Sequence, residues 1–193
     1  MGKLVVSQFV TLDGVMEDPG GGERFDRGGW AFQFERGPEG DKFKLDEVLA
    51  ADALLLGRKT YEGFAAAWPS RTDEVGFADK MNAMPKYVVS MTLKDPEWSN
   101  TTVIGDDVAG EVAKLKRETD GDVLVNGSAQ LVHTLVEHDL VDEYRLMVFP
   151  VLLGSGKRFF GDGAEPRALE VVETRPVGEV VILTLRPASS APE

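Results

Sequence analysis

Short apolar runs rich in β-branched residues recur along the chain and predict eight β-strands. The early runs are nearly continuous in hydrophobicity, which is typical of strands buried on both faces of a parallel sheet. The predicted strands are Leu4–Val10, Ala53–Leu56, Tyr87–Ser90, Thr101–Ile104, Asp122–Val125, Glu143–Val151, Leu169–Thr174 and Val180–Arg186.

Helical periodicity alternates with these strands. Apolar stripes predict helices over Thr60–Ala67, Asp107–Arg117 and Ser128–His138, and a weaker pattern predicts a fourth over Asp41–Ala51. Alternation of strands and helices implies parallel strands joined by right-handed crossovers. From residue 142 onward strand follows strand, with a turn predicted at Pro176–Glu179. The pattern therefore predicts a three-layer α/β fold, in which a mainly parallel mixed sheet has helices on both faces and an antiparallel C-terminal hairpin.

The chain length and composition fit one globular domain. We expect 193 residues to form a single domain over 1–187, with a low-complexity, disordered tail over 188–193. The chain has no Cys, its N-terminus lacks the long apolar region of a signal peptide, and no apolar stretch is long enough to span a bilayer. These features predict a cytoplasmic protein.

The formal net charge of −12 argues against nucleic-acid partners, because such proteins usually present a basic patch. No metal site is expected, since His133 and His138 lie five positions apart rather than at the i, i+4 spacing of a helical metal pair.

The segment from Glu17 to Gly40 has no periodicity and carries seven Gly and two Pro. A loop of this length in a compact domain is a lid, a binding loop or a disordered segment. Its aromatic residues favour a lid or a subunit contact. Trp30 and Phe34 are candidates to stack on a planar substrate.

Two strand-to-helix junctions are candidates for phosphate binding. The sequences LLLGRKTYE and VLVNGSAQL each place a Gly between a buried strand and a helix, at Gly57 and Gly127. Helix N-termini expose unpaired N–H groups with a partial positive charge, and Gly lets a ligand approach the backbone closely. The alternative is that both glycines only make tight turns.

The combination of these motifs resembles a known superfamily. GRKTYE at 57–62 looks like the Gly-Arg-basic-Thr-aromatic-Glu signature of dihydrofolate reductases. The run from Val125 to Phe160 resembles the reductase domain of the bifunctional riboflavin-biosynthesis deaminase-reductase. VSQFVTLDGVMED at 6–18 is similar to the first strand and loop of stand-alone members of that superfamily.

This resemblance implies a dihydrofolate-reductase-like fold that binds NADPH. Asp13 would begin the loop that passes over the nicotinamide. The cofactor-binding residues that it implies are Gly57, Arg58, Lys59, Thr60, Ser90, Gly127, Ser128 and Ala129.

The chain departs from the pattern at two positions. Asn126 stands where riboflavin-pathway reductases have Glu, so we expect poor reduction of their ribosylamino-pyrimidine substrate. Met91 stands where stand-alone relatives often have Arg, so a preference for NADPH would depend on Arg58 and Lys59.

Three residues are candidates for catalysis. Asp41 lies on the weak helix where dihydrofolate reductases keep their substrate carboxylate, but it is also a candidate helix cap. Asp13 is an alternative proton donor or a turn residue, and Asn126 would hydrogen-bond a substrate edge.

We therefore expect an NADPH-dependent reductase that transfers hydride to a small heterocyclic, pterin- or pyrimidine-like, or carbonyl substrate, linked to riboflavin or folate metabolism. The alternatives are a nucleotide-binding module without turnover and a dimeric interaction module of the same fold. Apolar surface on Glu143–Val151 and Gly29–Phe34 predicts a homodimer.

Overall fold

The computed structural model describes residues 1–161 and 165–188. An eight-stranded sheet of order β4-β3-β2-β5-β1-β6-β8-β7 forms its centre, and β1 to β6 pair in parallel. The last two strands are antiparallel, β8 to β6 and β7 to β8. The strands are β1 (Leu4–Thr11), β2 (Ala51–Gly57), β3 (Lys86–Val89), β4 (Thr101–Ile104), β5 (Asp122–Val125), β6 (Glu143–Phe149), β7 (Leu169–Val177) and β8 (Val180–Pro187).

Five α-helices connect these strands, and four of them were predicted from the sequence. α3 was not, because it has only seven residues and no clear stripe. Its start is stabilised by Asp73, whose carboxylate accepts the N–H groups of Val75, Phe77 and Ala78. The helices are α1 (Gly37–Ala50), α2 (Arg58–Ala67), α3 (Phe77–Ala83), α4 (Val108–Glu118) and α5 (Ala129–Glu137).

The predicted fold class is confirmed, and the differences are at element ends. α1 begins at Gly37, four residues before the predicted start at Asp41, with Pro38 in a first turn where its missing N–H costs nothing. Asp41 is therefore not the helix cap. The predicted turn at Pro176–Glu179 is also too long, since Pro176 and Val177 still pair with β8.

The two faces of the sheet are covered by different helices. α4 and α5 pack on one face through Val112, Leu131 and Leu135. α1, α2 and α3 cover the other face, where Val48 and Tyr61 are in the core. This arrangement leaves the carboxyl ends of the parallel strands along one edge, which is where α/β sheets bind ligands.

The segment before α1 contributes to the core. Trp30, in a short 3-10 helix (Trp30–Gln33), is completely buried, and its ring centre lies 5.2 Å from that of Phe149 in an edge-to-face arrangement. Its indole N–H donates to the Glu17 carbonyl oxygen at 2.9 Å. Trp30 is therefore not free to stack on a substrate, and that expectation is wrong.

The last strand ends close to the end of the described residues. β8 ends at Pro187, and of the predicted tail over 188–193 only Ala188 lies within the described residues. Among the helices of the described part, none combines the length and the apolar character needed to cross a membrane.

Candidate functional site

The candidate site lies at the carboxyl edge of the sheet, where β2 leads into α2 and β5 into α5. Because β2 and β5 are hydrogen-bonded neighbours, the two predicted junctions touch each other. The Gly57 N–H donates to the Gly127 carbonyl oxygen at 3.0 Å. A Cβ added at Gly57 would lie 2.3 Å from the Ser128 Oγ, so this close approach requires glycine.

Gly127 forms the turn between β5 and α5. Its φ of +104° lies in a region that favours glycine, and its peptide bond to Ser128 is cis. A Cβ added here would lie 3.0 Å from Thr60 Oγ1, 3.6 Å from Gln8 Oε1 and 3.7 Å from Met16 Cε. Three different segments of the chain therefore surround the turn.

The N-termini of both helices leave backbone donors available. Ser128 is the N-cap residue of α5 and Gly57 that of α2, and neither residue makes a side-chain cap hydrogen bond. The uncapped N–H groups of a first helical turn attract anions, because they carry the positive end of the helix dipole.

A cavity of about 350 Å³ adjoins the first turns of α5. Its lining includes Lys157 and Arg158, two cations that the sequence analysis did not assign to the site. The lining residues are Ala129, Gln130, His133, Gly156, Lys157, Arg158 and Gly161. The combination of a helix N-terminus with two cations suits an anionic ligand.

Glu17 connects the two sides of this edge electrostatically. Burial favours its neutral form, but hydrogen bonding and charge attraction by Lys157, 3.0 Å away, hold the pKa of Glu17 below its ordinary value. Lys59 at the start of α2 adds to the same effect. The loop after β1 is thereby fixed between α2 and the segment around Lys157.

The remaining cofactor candidates lie along the same edge but do not all face one point. Arg58 and Lys59 are exposed on the first turn of α2, and Arg58 forms an ion pair with Glu62 at 3.0 Å. Ser90 follows β3, next to β2, and its hydroxyl accepts the N–H groups of Thr92 and Leu93. Its side chain therefore stabilises its own turn.

The two candidate carboxylates lie in different surroundings. Asp41 is on the solvent side of α1, with a side chain that is 63% exposed and paired with Arg36. Asp13 accepts the N–H groups of Leu153 and Gly154. Burial opposes its charge, but these bonds and one from the Thr11 hydroxyl hold the pKa of Asp13 below its ordinary value. Asp13 therefore fixes the segment after β6.

Asn126 is half-buried, and its Nδ2 donates to the Ser7 carbonyl oxygen at 3.1 Å. Beside it, a polar cluster connects β1 with α1. The Lys44 ammonium donates to Ser7 Oγ at 2.6 Å, and Ser7 Oγ donates to Glu47 at 2.9 Å. Lys44 and Glu47, rather than Asp41, are thus the charged groups of α1 that reach the sheet.

Sequence reasoning missed Ser7, Gln8, Lys44 and Glu47, although one signal for them existed. Ser7 and Gln8 are consecutive polar residues in an otherwise apolar strand, and both are buried. Buried polar groups of this kind require partners, so their presence in β1 indicates a polar environment at its end.

The sheet order, the antiparallel C-terminal hairpin and the paired junctions define the dihydrofolate-reductase-like fold, as found in RibD reductase structures. The chain belongs to the RibD C-terminal domain family, whose model matches residues 2–183. The sequence is 30% identical to the uncharacterised protein YyaP of Bacillus subtilis, over 93% of this chain and 92% of that protein.

Solved structures show the same fold at low sequence identity. A protein from Shewanella sp. PV-4, assigned provisionally to riboflavin biosynthesis, superposes with a TM-score of 0.75 at 19% identity, over 97% of this chain and 99% of that one. The deaminase/reductase of Thermotoga maritima, named as acting on a phosphoribosylamino-uracil, gives 0.64 at 16% identity. That match covers 97% of this chain and 57% of the longer bifunctional protein.

Proposed function

We propose that this protein is an NADPH-dependent reductase acting on a small heterocyclic or carbonyl substrate. The observation that carries the proposal is the contact between the two glycine junctions, where Gly57 N–H donates to the Gly127 carbonyl at 3.0 Å. This contact places the uncapped N-termini of α2 and α5 side by side, which suits the two phosphates of a dinucleotide. Membership of a family with reductase domains supports the same assignment.

The residues present fit such a cofactor. The space over Gly127 is one that a single Cβ would fill, so the backbone is open to close approach. Gly57, Thr60, Gly127, Ser128 and Ala129 would hold the pyrophosphate, and Arg58 with Lys59 would attract the 2′-phosphate. Ser90 would lie near the adenosine ribose. The cofactor itself supplies hydride, and the protein supplies binding, orientation and electrostatics.

The substrate would lie on the α1 side of β1 and β5. There Asn126, Ser7 and Lys44 offer polar groups next to the cofactor edge. Lys44 is the group we propose to orient the substrate, because its ammonium reaches the sheet while Asp41 faces solvent.

A second candidate is a nucleotide-binding module without turnover. It is favoured by one observation: Asp13 is engaged by loop amides and Asp41 is paired at the surface, so neither carboxylate is free to donate a proton. Both candidates require dinucleotide binding, and only the reductase consumes NADPH with a substrate present.

The test of cofactor binding compares two glycine variants. Native protein should be stabilised by NADPH, by about 2.7 kcal/mol when NADPH is at a hundred times its Kd. Gly127→Ala should weaken NADPH binding at least about tenfold, since the added methyl would fill the space beside Thr60. Urea unfolding with and without NADPH measures the stabilisation, and calorimetric titration measures the affinity of each protein for NADPH.

Gly76→Ala is the matched control. Gly76 also has a positive φ, +83°, but a Cβ there meets nothing within 4 Å and the residue precedes α3, away from the site. Both variants should lose similar backbone stability, while only Gly127→Ala should lose NADPH. Unchanged NADPH affinity in folded Gly127→Ala protein would overturn the placement.

A further inference from the structure

Gln8 is a buried amide in the centre of the sheet, and it lacks the partner that such a group needs. It lies on β1 opposite Leu146 of β6 and two residues beyond Val6, where the pairing of β1 with β5 ends, and only 8% of its surface is exposed. Its neighbours on the same face, Val6 and Val10, belong to the apolar core. Within residues 1–161 and 165–188, Gln8 Oε1 is completely buried and accepts no hydrogen bond.

An unpaired amide oxygen in this position is costly to the folded protein. Folding removes it from water, and no donor replaces the lost hydrogen bond, so a leucine here would be more favourable for stability. Native proteins contain few such groups, and each one requires an explanation. The explanation that fits a strand end beside a binding edge is a partner that arrives with a ligand.

The location of the oxygen narrows the choice of ligand. Gln8 Oε1 lies 3.6 Å from the point that a Cβ of Gly127 would occupy, and Thr60 Oγ1 lies 3.0 Å from the same point. Met16 Cε, at 3.7 Å, closes this space from the loop after β1. The unpaired amide is thus next to the turn to which the proposed function assigns the dinucleotide.

The hydrogen-bonding chemistry of an amide narrows the choice of ligand group further. A carbonyl oxygen accepts hydrogen bonds, so the pyrophosphate of a dinucleotide, whose oxygens only accept at neutral pH, cannot be the partner of this oxygen. The partner must carry an N–H or O–H group. A carboxamide offers a donor and an acceptor together, and therefore complements a glutamine side chain on both of its atoms.

We propose that Gln8 binds the carboxamide of the nicotinamide ring and so orients the ring on the β1 side of the β5–α5 turn, with the pyrophosphate on the Thr60 side of the same turn. This inference rests on the proposed function, since it requires a nicotinamide cofactor. Entry of the ring would require the Met16 side chain to change its rotamer, since Met16 Cε borders this space, and Gln8 Oε1 would then accept an N–H of the carboxamide. Gln8 is a binding and positioning residue in this arrangement, with no bond made or broken at its side chain.

The experiment combines one variant with one cofactor analogue. Native protein and Gln8→Leu are titrated with NADPH and with its reduced 3-acetylpyridine analogue, in which a methyl group replaces the carboxamide NH₂. Native protein should bind NADPH about three- to tenfold more tightly than the analogue, and Gln8→Leu should bind the two about equally. The melting temperature of the ligand-free variant should equal or exceed that of native protein.

Gln33→Leu is the control, because Gln33 is an exposed glutamine on the 3-10 helix and its replacement should leave all affinities unchanged. If native protein binds no NADPH, the proposed function fails. If native protein binds NADPH but Gln8→Leu binds it equally well, only the role of Gln8 fails. Equal weakening of NADPH and the analogue would place the partner of Gln8 on a ribose hydroxyl and overturn the carboxamide assignment.

Discussion

Single residues at the strand ends shape the candidate site. Gly57 and Gly127 allow the two junctions to lie in contact because they have no side chain. A Cβ at either position would lie within 3.0 Å of atoms of the opposite junction. Asn126 matters through its neutrality. A carboxylate at this position could pair with a cationic or protonated group, whereas an amide can only exchange hydrogen bonds.

Asn126 leads to a prediction about substrates. Native protein should reduce the phosphoribosylamino-uracil of riboflavin synthesis poorly, because Asn126 gives its Nδ2 hydrogen to the Ser7 carbonyl and offers no charge. Asn126→Glu should raise that activity at least about tenfold, corresponding to one charge-assisted hydrogen bond. Loss of NADPH absorbance measures the rate with each protein.

Asn126→Gln separates charge from length, since it extends the side chain as Glu does but stays neutral. A gain of activity in Asn126→Glu but not in Asn126→Gln would support the view that native protein lacks a charge at this position. Fast turnover by the native protein would contradict it, and equal gain in both variants would mean that reach, not charge, is what Asn126 lacks.

Sequence reasoning reached the residues whose role is local and missed those whose role depends on packing. Gly57 and Gly127 could be predicted because a glycine between a strand and a helix is a local signal. Gln8 and Lys44 could not, because only the pairing of β1 with β5 and the docking of α1 bring them to the site. Lys157 was not predicted either, because its contact with Glu17, 140 residues earlier, forms only in the folded protein.

At the level of elements, strong periodicity predicted the helices that form the site. α2 and α5 were located within two residues because each has a glycine before it and an apolar stripe along it. The start of α1 was misplaced by four residues, since a buried polar cluster as well as Val48 holds this helix and its apolar stripe is weak. The hydrophobic period of a helix reflects only its apolar contacts. Polar contacts such as those of Lys44 and Glu47 with Ser7 therefore add nothing to the sequence signal.

A second charged cluster joins β6 to β8, and it predicts a pH dependence of stability. Glu143 is buried, and its carboxylate accepts hydrogen bonds from Arg145 on β6 and Arg186 on β8. Burial raises its pKa, but the two guanidinium groups outweigh burial and hold the pKa of Glu143 below its ordinary value of 4.5.

Because the folded state favours the ionised carboxylate, this stabilisation is complete above the unfolded pKa and is lost as the pH falls through the folded pKa. Glu143→Gln should lower the free energy of unfolding by about 1.5–3 kcal/mol at pH 7. The difference from native protein should shrink as the pH falls below about 4.5. Urea unfolding between pH 3 and pH 7 measures it.

Glu74→Gln is the comparison variant, because Glu74 is an exposed carboxylate in the loop before α3, away from β6 and β8. It should change stability by less than about 0.5 kcal/mol at any pH in this range. A constant difference between Glu143→Gln and native protein from pH 3 to pH 7 would contradict the role of the charge.

For the whole molecule, the charge distribution fits an anionic ligand bound at one edge. The chain carries a formal net charge of −12, which repels anions at long range. The candidate site offsets this locally, with Lys59 and Arg158 near two helix N-termini and with Lys157 paired to Glu17. Binding would therefore depend on short-range contacts more than on steering.

Oligomeric assembly is the other property of the whole molecule. The structure changes which surface can form the subunit contact. β6 lies between β1 and β8, so its apolar residues are internal and cannot form a subunit contact as first expected. β7 is the edge strand next to β8, is nine residues long, and exposes Val171 and Val172. A long edge strand with exposed apolar side chains readily pairs with another chain.

We therefore propose a two-fold homodimer in which β7 of each subunit contributes to the interface. Light scattering at micromolar concentration should give twice the mass of the 21.0 kDa chain. Val171→Arg should shift the protein to monomer, because it would bury a charge in the apolar part of the proposed interface. Val75→Arg is the matched control: Val75 is 61% exposed and Val171 62%, but Val75 lies in the loop before α3. A monomeric native protein would refute the dimer, and a dimer that persists in Val171→Arg would move its interface away from β7.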